Sequence, residues 1–382
     1  MIRSRLNPKP TVLLWAIKRA RVDLRRRFPR LDDWLSGTVQ PTLRQLEDFA
    51  KAASMPFGYL FLPKPSEDRW PIPHFRSLWP QPKKRPSPDL LETIYIMQRR
   101  QSWMREYLIE QGHEPLPFVP SGSIREYTGP GEVAQRIRVV LGVDANLAAS
   151  QQTWRGALRS LQKQAEAAGI LVVTSSVVGN NTRRKLDVEE FRGFVLVDEY
   201  APLVFINGAD GKAAQMFTFS HELAHVWLGS SASFDLRNLH PAQDRTEEAC
   251  NQIAAEFLVP ANSIRDFWRD VKGRPDPLQL AANQFKVSEI VAARRALYLG
   301  LISWNEFREF YEKYRQRERI RSGGEEGGNF YAAQNLRLGR RFGEAVVRAV
   351  REGRLLYDEA YHLTGLYGRT FNCYAKFVAG DR

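Results

Sequence analysis

The sequence predicts an α+β fold, a mainly helical multidomain chain with one small β-sheet. Three observations carry this. The chain has 382 residues, enough for roughly two to four domains and at least one sizeable core. Its 43% hydrophobic and 11% aromatic content is that of a globular protein, not of a disordered one. Strand composition is confined to residues 169–208, while helical spacing recurs on both sides of it.

Taken in order, residues 10–22 carry Val12, Leu13, Ala16, Ile17 and Ala20 at helical intervals. Gly37 can end a short helix, and Pro41-Thr42 can open another with Leu43, Leu46, Phe49 and Ala50 on one face. The Pro-rich stretch 62–88 reads as an extended connector. A long helix with an apolar stripe runs from about 89 to its stop at Gly112, and 131–168 gives two more helices. Residues 169–178 then change to strand composition. The segment 191–208 holds two β-rich runs around an Asp198–Pro202 turn, a hairpin signal. Helix resumes over 217–229 and near 244–258, and 278–303 reads as two helices around a Lys286–Ser288 turn. "RSGGEEGGN" (321–329) is a flexible linker before a basic helical tail.

The net charge is +13, which suggests a polyanionic partner, because counterion release favours basic surfaces on nucleic acid. The charge is uneven. Residues 1–30 carry ten Lys/Arg against Asp23 alone, whereas 217–262 carry six acids against Arg237 and Arg245. Several short helices with a basic leading edge make a small DNA-binding unit over the first 63 residues. The two cysteines, Cys250 and Cys373, exclude a disulfide scaffold and fit a reducing interior. No apolar run reaches membrane-spanning length. The amphipathic "TVLLWAIKRAR" has no small-residue cleavage site and reads as a first helix rather than a signal peptide. A cytoplasmic protein with no membrane partner is expected.

"FTFSHELAHVWLG" (217–229) places two histidines and a glutamate in an apolar run. His221 and His225, four apart, share one helix face, and Glu222 sits one step round. Zinc hydrolysis needs this spacing: two neutral nitrogen ligands, an open position for water, and a carboxylate to take that water's proton. The alternative is a histidine pair satisfied by neighbours in an ordinary core helix, but that leaves a buried Glu222 to go unpaired. A third His six residues beyond His225 is excluded, because Ser231 stands there. A downstream Glu on a crossing helix is the other form. "DRTEEACNQIAAEFLVP" (244–260) offers Glu247 as ligand, with Asn251 on the same face to orient a ligand ring. Glu248 and His240 are the runners-up, and Glu256 reads as a surface or orienting group.

The segment 193–229, followed by "EEACNQIAAEFLVP", resembles the ImmA/IrrE family of metallo-endopeptidases, whose motif is His-Glu-x-x-His with a downstream Glu-x-x-x-Asn-x-x-Ala. The resemblance spans roughly 150–262. It implies a zincin-like peptidase core, Zn2+ as cofactor, His221, His225 and Glu247 as ligands, and Glu222 as general base. It also implies a repressor-type transcription factor as substrate. "PTLRQLEDFAKAASMPFGYLFLP" (41–63) similarly resembles the XRE-type helix-turn-helix proteins that carry this peptidase as a C-terminal domain. Some of those are encoded beside PIN-like ribonuclease toxins and are treated as antitoxins. One departure is clear: "RVDLRRRFPR" (21–30), with Pro29 inside it, leaves scant room for two full helices before Leu31. The unit is therefore degenerate, and Arg25, Arg26, Arg27 and Arg44 are read as phosphate contacts rather than base readers.

The expected organisation is a degenerate helix-turn-helix at 1–63, a connector and helical segment at 64–148, the peptidase domain at 149–262, a helical region at 263–320 that could be a second helix-turn-helix, and a linker with basic tail at 321–382. The expected activity is zinc-dependent endoproteolysis in stress-response, mobile-element or toxin–antitoxin regulation. The alternative is a non-proteolytic DNA-binding regulator or antitoxin with a structural metal site. His240 and Tyr200 are oxyanion donors by residue type only.

Overall fold

The structure, a computed structural model, describes residues 8–20, 23–53, 55, 57–64, 86–119, 128–144, 148, 151–229, 245–318 and 330–380. The Pro-rich stretch 65–85, the linker 321–329, Ser231 and His240 lie outside the described residues.

The chain begins with a small helical unit. Helices α1 (Pro10–Arg19), α2 (Leu24–Arg27), α3 (Leu31–Ser36) and α4 (Leu43–Ala52) and a 3-10 turn (Phe57–Phe61) close around Leu13, Leu24, Leu31, Trp34, Leu46, Phe49 and Leu60. α2 is a single turn, capped by the Asp23 carboxylate, which accepts from the backbone N–H of Arg25 and Arg26. Pro29 restrains the residue before it from helical geometry, so α2 cannot lengthen. Thr42 and Gln45 form a reciprocal capping box at the start of α4. Leu43, expected on the apolar face of α4, is instead 43% exposed. It precedes the turn on which Leu46, Phe49 and Ala50 are buried.

Next come α5 (Pro88–Glu110), α6 (Pro130–Leu141) and α7 (Trp154–Ala167), then strands β1 (Leu171–Ser175), β2 (Val177–Val178), β3 (Asn181–Lys185), β4 (Gly193–Leu196) and β5 (Leu203–Asn207). β4 and β5 form the expected antiparallel hairpin, with Phe194 opposite Phe205. β1 lies parallel to β5, so the three-stranded sheet has the order β1-β5-β4. β2 and β3 make a separate antiparallel pair. β3 is the polar "NTRRK", which carries no apolar alternation and is not visible from the sequence as a strand.

Helices α8 (Lys212–Leu228), α9 (Arg245–Leu258), α10 (Ala261–Val271), α11 (Pro277–Phe285), α12 (Glu289–Tyr298) and α13 (Trp304–Glu318) follow, and α14 (Phe330–Leu338), α15 (Arg340–Arg351), α16 (Tyr357–Thr364) and α17 (Arg369–Ala379) complete the chain. α11 and α12 meet around Lys286, whose φ of 53° makes the turn expected at 286–288.

The sheet is covered on both faces. Val172, Val195, Val204 and Ile206 pack into one core with α6 to α12. Leu171, Val173, Phe194, Leu196, Leu203 and Phe205 pack into another with α5 and α14 to α17. Strands buried on both faces read as continuous apolar runs, which is how "LVVTS" and "LVFIN" look. Neither cysteine is in a disulfide. Among the described residues, no helix is long and apolar enough to cross a membrane.

Candidate metal centre

α8 is buried at every residue from Gln215 to Leu228. A helix that is apolar all round belongs inside a protein, and this one lies between the sheet and α9. Gly229, at φ 61°, ends it. The histidines it carries are 2% and 1% exposed, so neither ring can be satisfied by bulk solvent.

α9 supplies the third group. Glu247 stands in its first turn. The three donors converge: His221 Nε2 lies 3.1 Å from His225 Nε2, and the two Glu247 oxygens lie 3.2 Å from one and the other nitrogen. Asn251, one turn beyond Glu247, presents Oδ1 to His221 Nδ1 at 3.2 Å. An amide oxygen only accepts, so Nδ1 carries the hydrogen and Nε2 keeps its lone pair directed at the other donors.

These residues fit a divalent metal. Donor atoms about 2.0–2.1 Å from a tetrahedral zinc stand roughly 3.3 Å apart, close to the three separations here. Two imidazoles and a carboxylate, with the outer nitrogen of one ring tied to a neighbour, are the donor set of an open catalytic site rather than a closed structural one. Among the described residues, His221, His225 and Glu247 are the group brought within ligand distance of one another.

Glu222 is 2% exposed and faces the sheet. A Cβ placed on Gly193, at the start of β4, would lie 3.4 Å from its Oε1. The carboxylate therefore sits at the junction of the motif helix and the edge strand. Gly193 and Thr218, both packed at this junction, were not read as site residues; the available signal was an isolated glycine at the head of a strand, which marks close backbone approach.

Other expected residues are placed elsewhere. Glu248 is exposed on α9 and accepts from Gln252. Glu256 pairs with Arg295 and accepts the N–H of Ala261, so it ties α9 to α10 and α12. Arg295 also donates to the Val259 carbonyl, and Arg138 to those of Glu256 and Phe257. Cations at a helix C-terminus satisfy its open carbonyls and its dipole. Burial lowers both guanidinium pKa values, Arg295 to about 10, with Tyr298 raising it and Arg138 lowering it further. Tyr200 lies under Arg105, 5.0 Å from ring centroid to guanidinium carbon, and packs with the α5 core. That is the sheet face away from α8, which removes Tyr200 as an oxyanion donor. Arg25, Arg26, Arg27 and Arg44 are exposed in the N-terminal unit, with Arg25 3.3 Å from Asp32.

Fold and donor set define a metallopeptidase-type domain. In agreement, residues 165–297 match the family model described as an IrrE N-terminal-like domain, a peptidase family, which supports the ImmA/IrrE resemblance. The match runs from the end of α7 into α12 and includes the sheet and both metal-centre helices. Residues 338–377 match a model described as a domain of unknown function. No curated protein matches the chain.

Proposed function

We propose that the chain is a zinc-dependent endopeptidase that cleaves a repressor-type transcription factor. The convergence of His221, His225 and Glu247 from two helices, with Glu222 next to His221 in the chain, carries this reading. A zinc ion held there would polarise a peptide carbonyl and lower the pKa of water towards ~7. Glu222 accepts the proton of the attacking water and returns it to the departing amine nitrogen. Glu247 and His221, fixed by Asn251, hold the geometry. Among the described residues β4 pairs only with β5, so an extended substrate can add a strand along β4 through main-chain hydrogen bonds.

The N-terminal unit favours a second activity. Its exposed Arg25, Arg26, Arg27 and Arg44 suit phosphate contact, in a chain of net charge +13. This supports a DNA-binding regulator in which the metal would be a structural staple; an antitoxin role with a PIN-like toxin as partner rests on the resemblance of 41–63 alone. Two carboxylates at the site speak for catalysis, since structural zinc sites fill four positions with Cys or His.

The test is Glu222→Gln, incubated with zinc and a panel of repressor-type transcription factors, from which the one that wild type cleaves is taken as substrate. Cleavage is expected to fall on the order of 10²–10⁴-fold, the usual contribution of a general base, with bound zinc unchanged. Undiminished cleavage would remove Glu222 from the mechanism. Zinc retention with no cleavage by the wild type, together with unaltered operator binding by Glu222→Gln, would favour the regulator.

A further inference from the structure

We propose that Gly193 and Thr218 are positioning residues for Glu222: the bare Cα of the edge strand, pressed against the Thr218 methyl, sets where the carboxylate stands. The inference rests on the peptidase reading for its functional meaning.

Gly193 is not required by its backbone angle, since its φ is not in the left-handed region. Space requires it. A Cβ there would stand 2.6 Å from Thr218 Cγ2, 2.9 Å from the Phe205 carbonyl oxygen and 3.4 Å from Glu222 Oε1. Any side chain would press on the Thr218 methyl and the Phe205 carbonyl and so push the strand from α8, while at 3.4 Å it would only touch Glu222 Oε1; Glu222 would move with the spacing of the two elements. Thr218 and Glu222 belong to one face of α8, because residues four apart lie one above the other.

Thr218 shows that this contact dominates locally. It is 1% exposed, and its Oγ1 has no hydrogen-bond partner. Two residues on, Ser220 bonds back to the Met216 carbonyl at 3.0 Å, as helix hydroxyls commonly do. Thr218 forgoes such a bond and turns its methyl to the strand. At Thr218 the contact between α8 and β4 is steric, made by the methyl rather than by a hydrogen bond. The spacing in turn sets how far Glu222 stands from a peptide on the strand's free edge. Side chains stand perpendicular to a sheet, so a residue at 193 would reach into α8 and leave the in-plane hydrogen-bonding groups of β4 open. The pair therefore governs chemistry more than binding.

The experiment compares zinc-loaded wild type, Gly193→Ala, Thr218→Ser and the double variant. Crystal structures, zinc content, and kcat and KM on the protein that wild type cleaves are measured for each. Affinity for that uncleaved protein is measured in a Glu222→Gln background. Gly193→Ala is expected to keep one zinc per chain and unchanged affinity. Its Glu222 carboxylate should move by about 1 Å, and kcat should fall on the order of 10²-fold. Thr218→Ser, which deletes the nearest clashing atom, should restore at least about tenfold of that loss in the double variant. If Gly193→Ala does not fold, the double variant against Thr218→Ser carries the same comparison. An unmoved Glu222 with full kcat overturns the proposal, and so does loss of zinc with the activity, which would make the contact a support of the ligands. If wild type cleaves nothing, the peptidase reading fails, and the Glu222 displacement alone decides this one.

Discussion

Two clusters of buried polar groups flank the sheet, and they are satisfied in opposite ways. On the α5 side, Arg100 is 3% exposed, and its guanidinium donates to the carbonyls of Leu363 and Arg337. The Tyr374 hydroxyl donates to Asn335 Oδ1, and Glu166 accepts the N–H of Arg341 at the start of α15. These bonds bolt α5 and α7 to the C-terminal helices. On the α8 side, two imidazole nitrogens and two carboxylate oxygens from His221, His225 and Glu247 converge, each nitrogen within 3.2 Å of the other nitrogen and of one oxygen. A buried convergence of ligand-type donor atoms suits a cation, whereas guanidinium and hydroxyl groups that meet oxygen acceptors tie helices together. Burial of titratable groups alone does not mark a site; the sign of what they present does.

That contrast can be broken from either side. The largest stability effect is expected for Arg100→Leu. Burial already lowers the Arg100 pKa to about 10, with Tyr374 raising it and Arg99 lowering it. Removing the donor leaves two carbonyls unpaired, a loss of roughly 2–4 kcal/mol in denaturant unfolding, while zinc affinity stays unchanged. A parallel fall in zinc affinity would mean the two clusters are not separate. Asn251→Ala should do the reverse. Zinc affinity drops about 10–100-fold as His221 loses the partner that orients it, with a smaller change in unfolding. Calorimetric titration of the apo-protein reads this directly.

The smallest effect concerns Glu166. Burial raises its carboxyl pKa from 4.5 to about 7, against hydrogen bonds from Arg341 and Arg340 and the charge of Arg340 that lower it, while Glu344 raises it further. A carboxyl with a raised folded-state pKa binds its proton more tightly when folded. Stability therefore declines as pH rises from 4.5 to about 7 and is flat beyond. Glu166→Gln keeps an acceptor for Arg341 without the charge. The variant should gain on the order of 2 kcal/mol over wild type above pH 7 and nothing near pH 4. Equal melting-temperature differences at both pH values would show that Glu166 is already ionised when folded.

The metal centre was more legible in the sequence than the scaffold holding it. His221 and His225 are placed on one face by helical spacing, and Glu222 and Glu247 with Asn251 are singled out by the same spacing together with the ImmA/IrrE resemblance, with Glu248 and His240 as alternatives to Glu247. These are local signals, four residues long, that survive without knowledge of the tertiary fold. The pairing of β1 with β5 joins residues 171–175 to 203–207 across the β2–β3 hairpin, and no spacing rule encodes that. Nor did the sequence show that α5 and the tail share the second face of the sheet, because their apolar stripes do not name a partner. Glu256 reads from the sequence as a surface or orienting group, and its partner Arg295 comes from α12, 39 residues on, where no local spacing shows it. Leu43 shares the periodicity of Leu46, Phe49 and Ala50, but it stands in the first turn of α4, ahead of the part of that face that is buried.

The central claim is that one divalent ion is held by two α8 imidazoles and an α9 carboxylate. Zinc stoichiometry and affinity of the purified full chain and of Glu247→Ala test it most directly. The expected result is one ion per wild-type chain and its loss from the variant at equal zinc concentration, with folding retained. A variant that binds zinc as tightly as wild type, or a wild type that binds none, would contradict it.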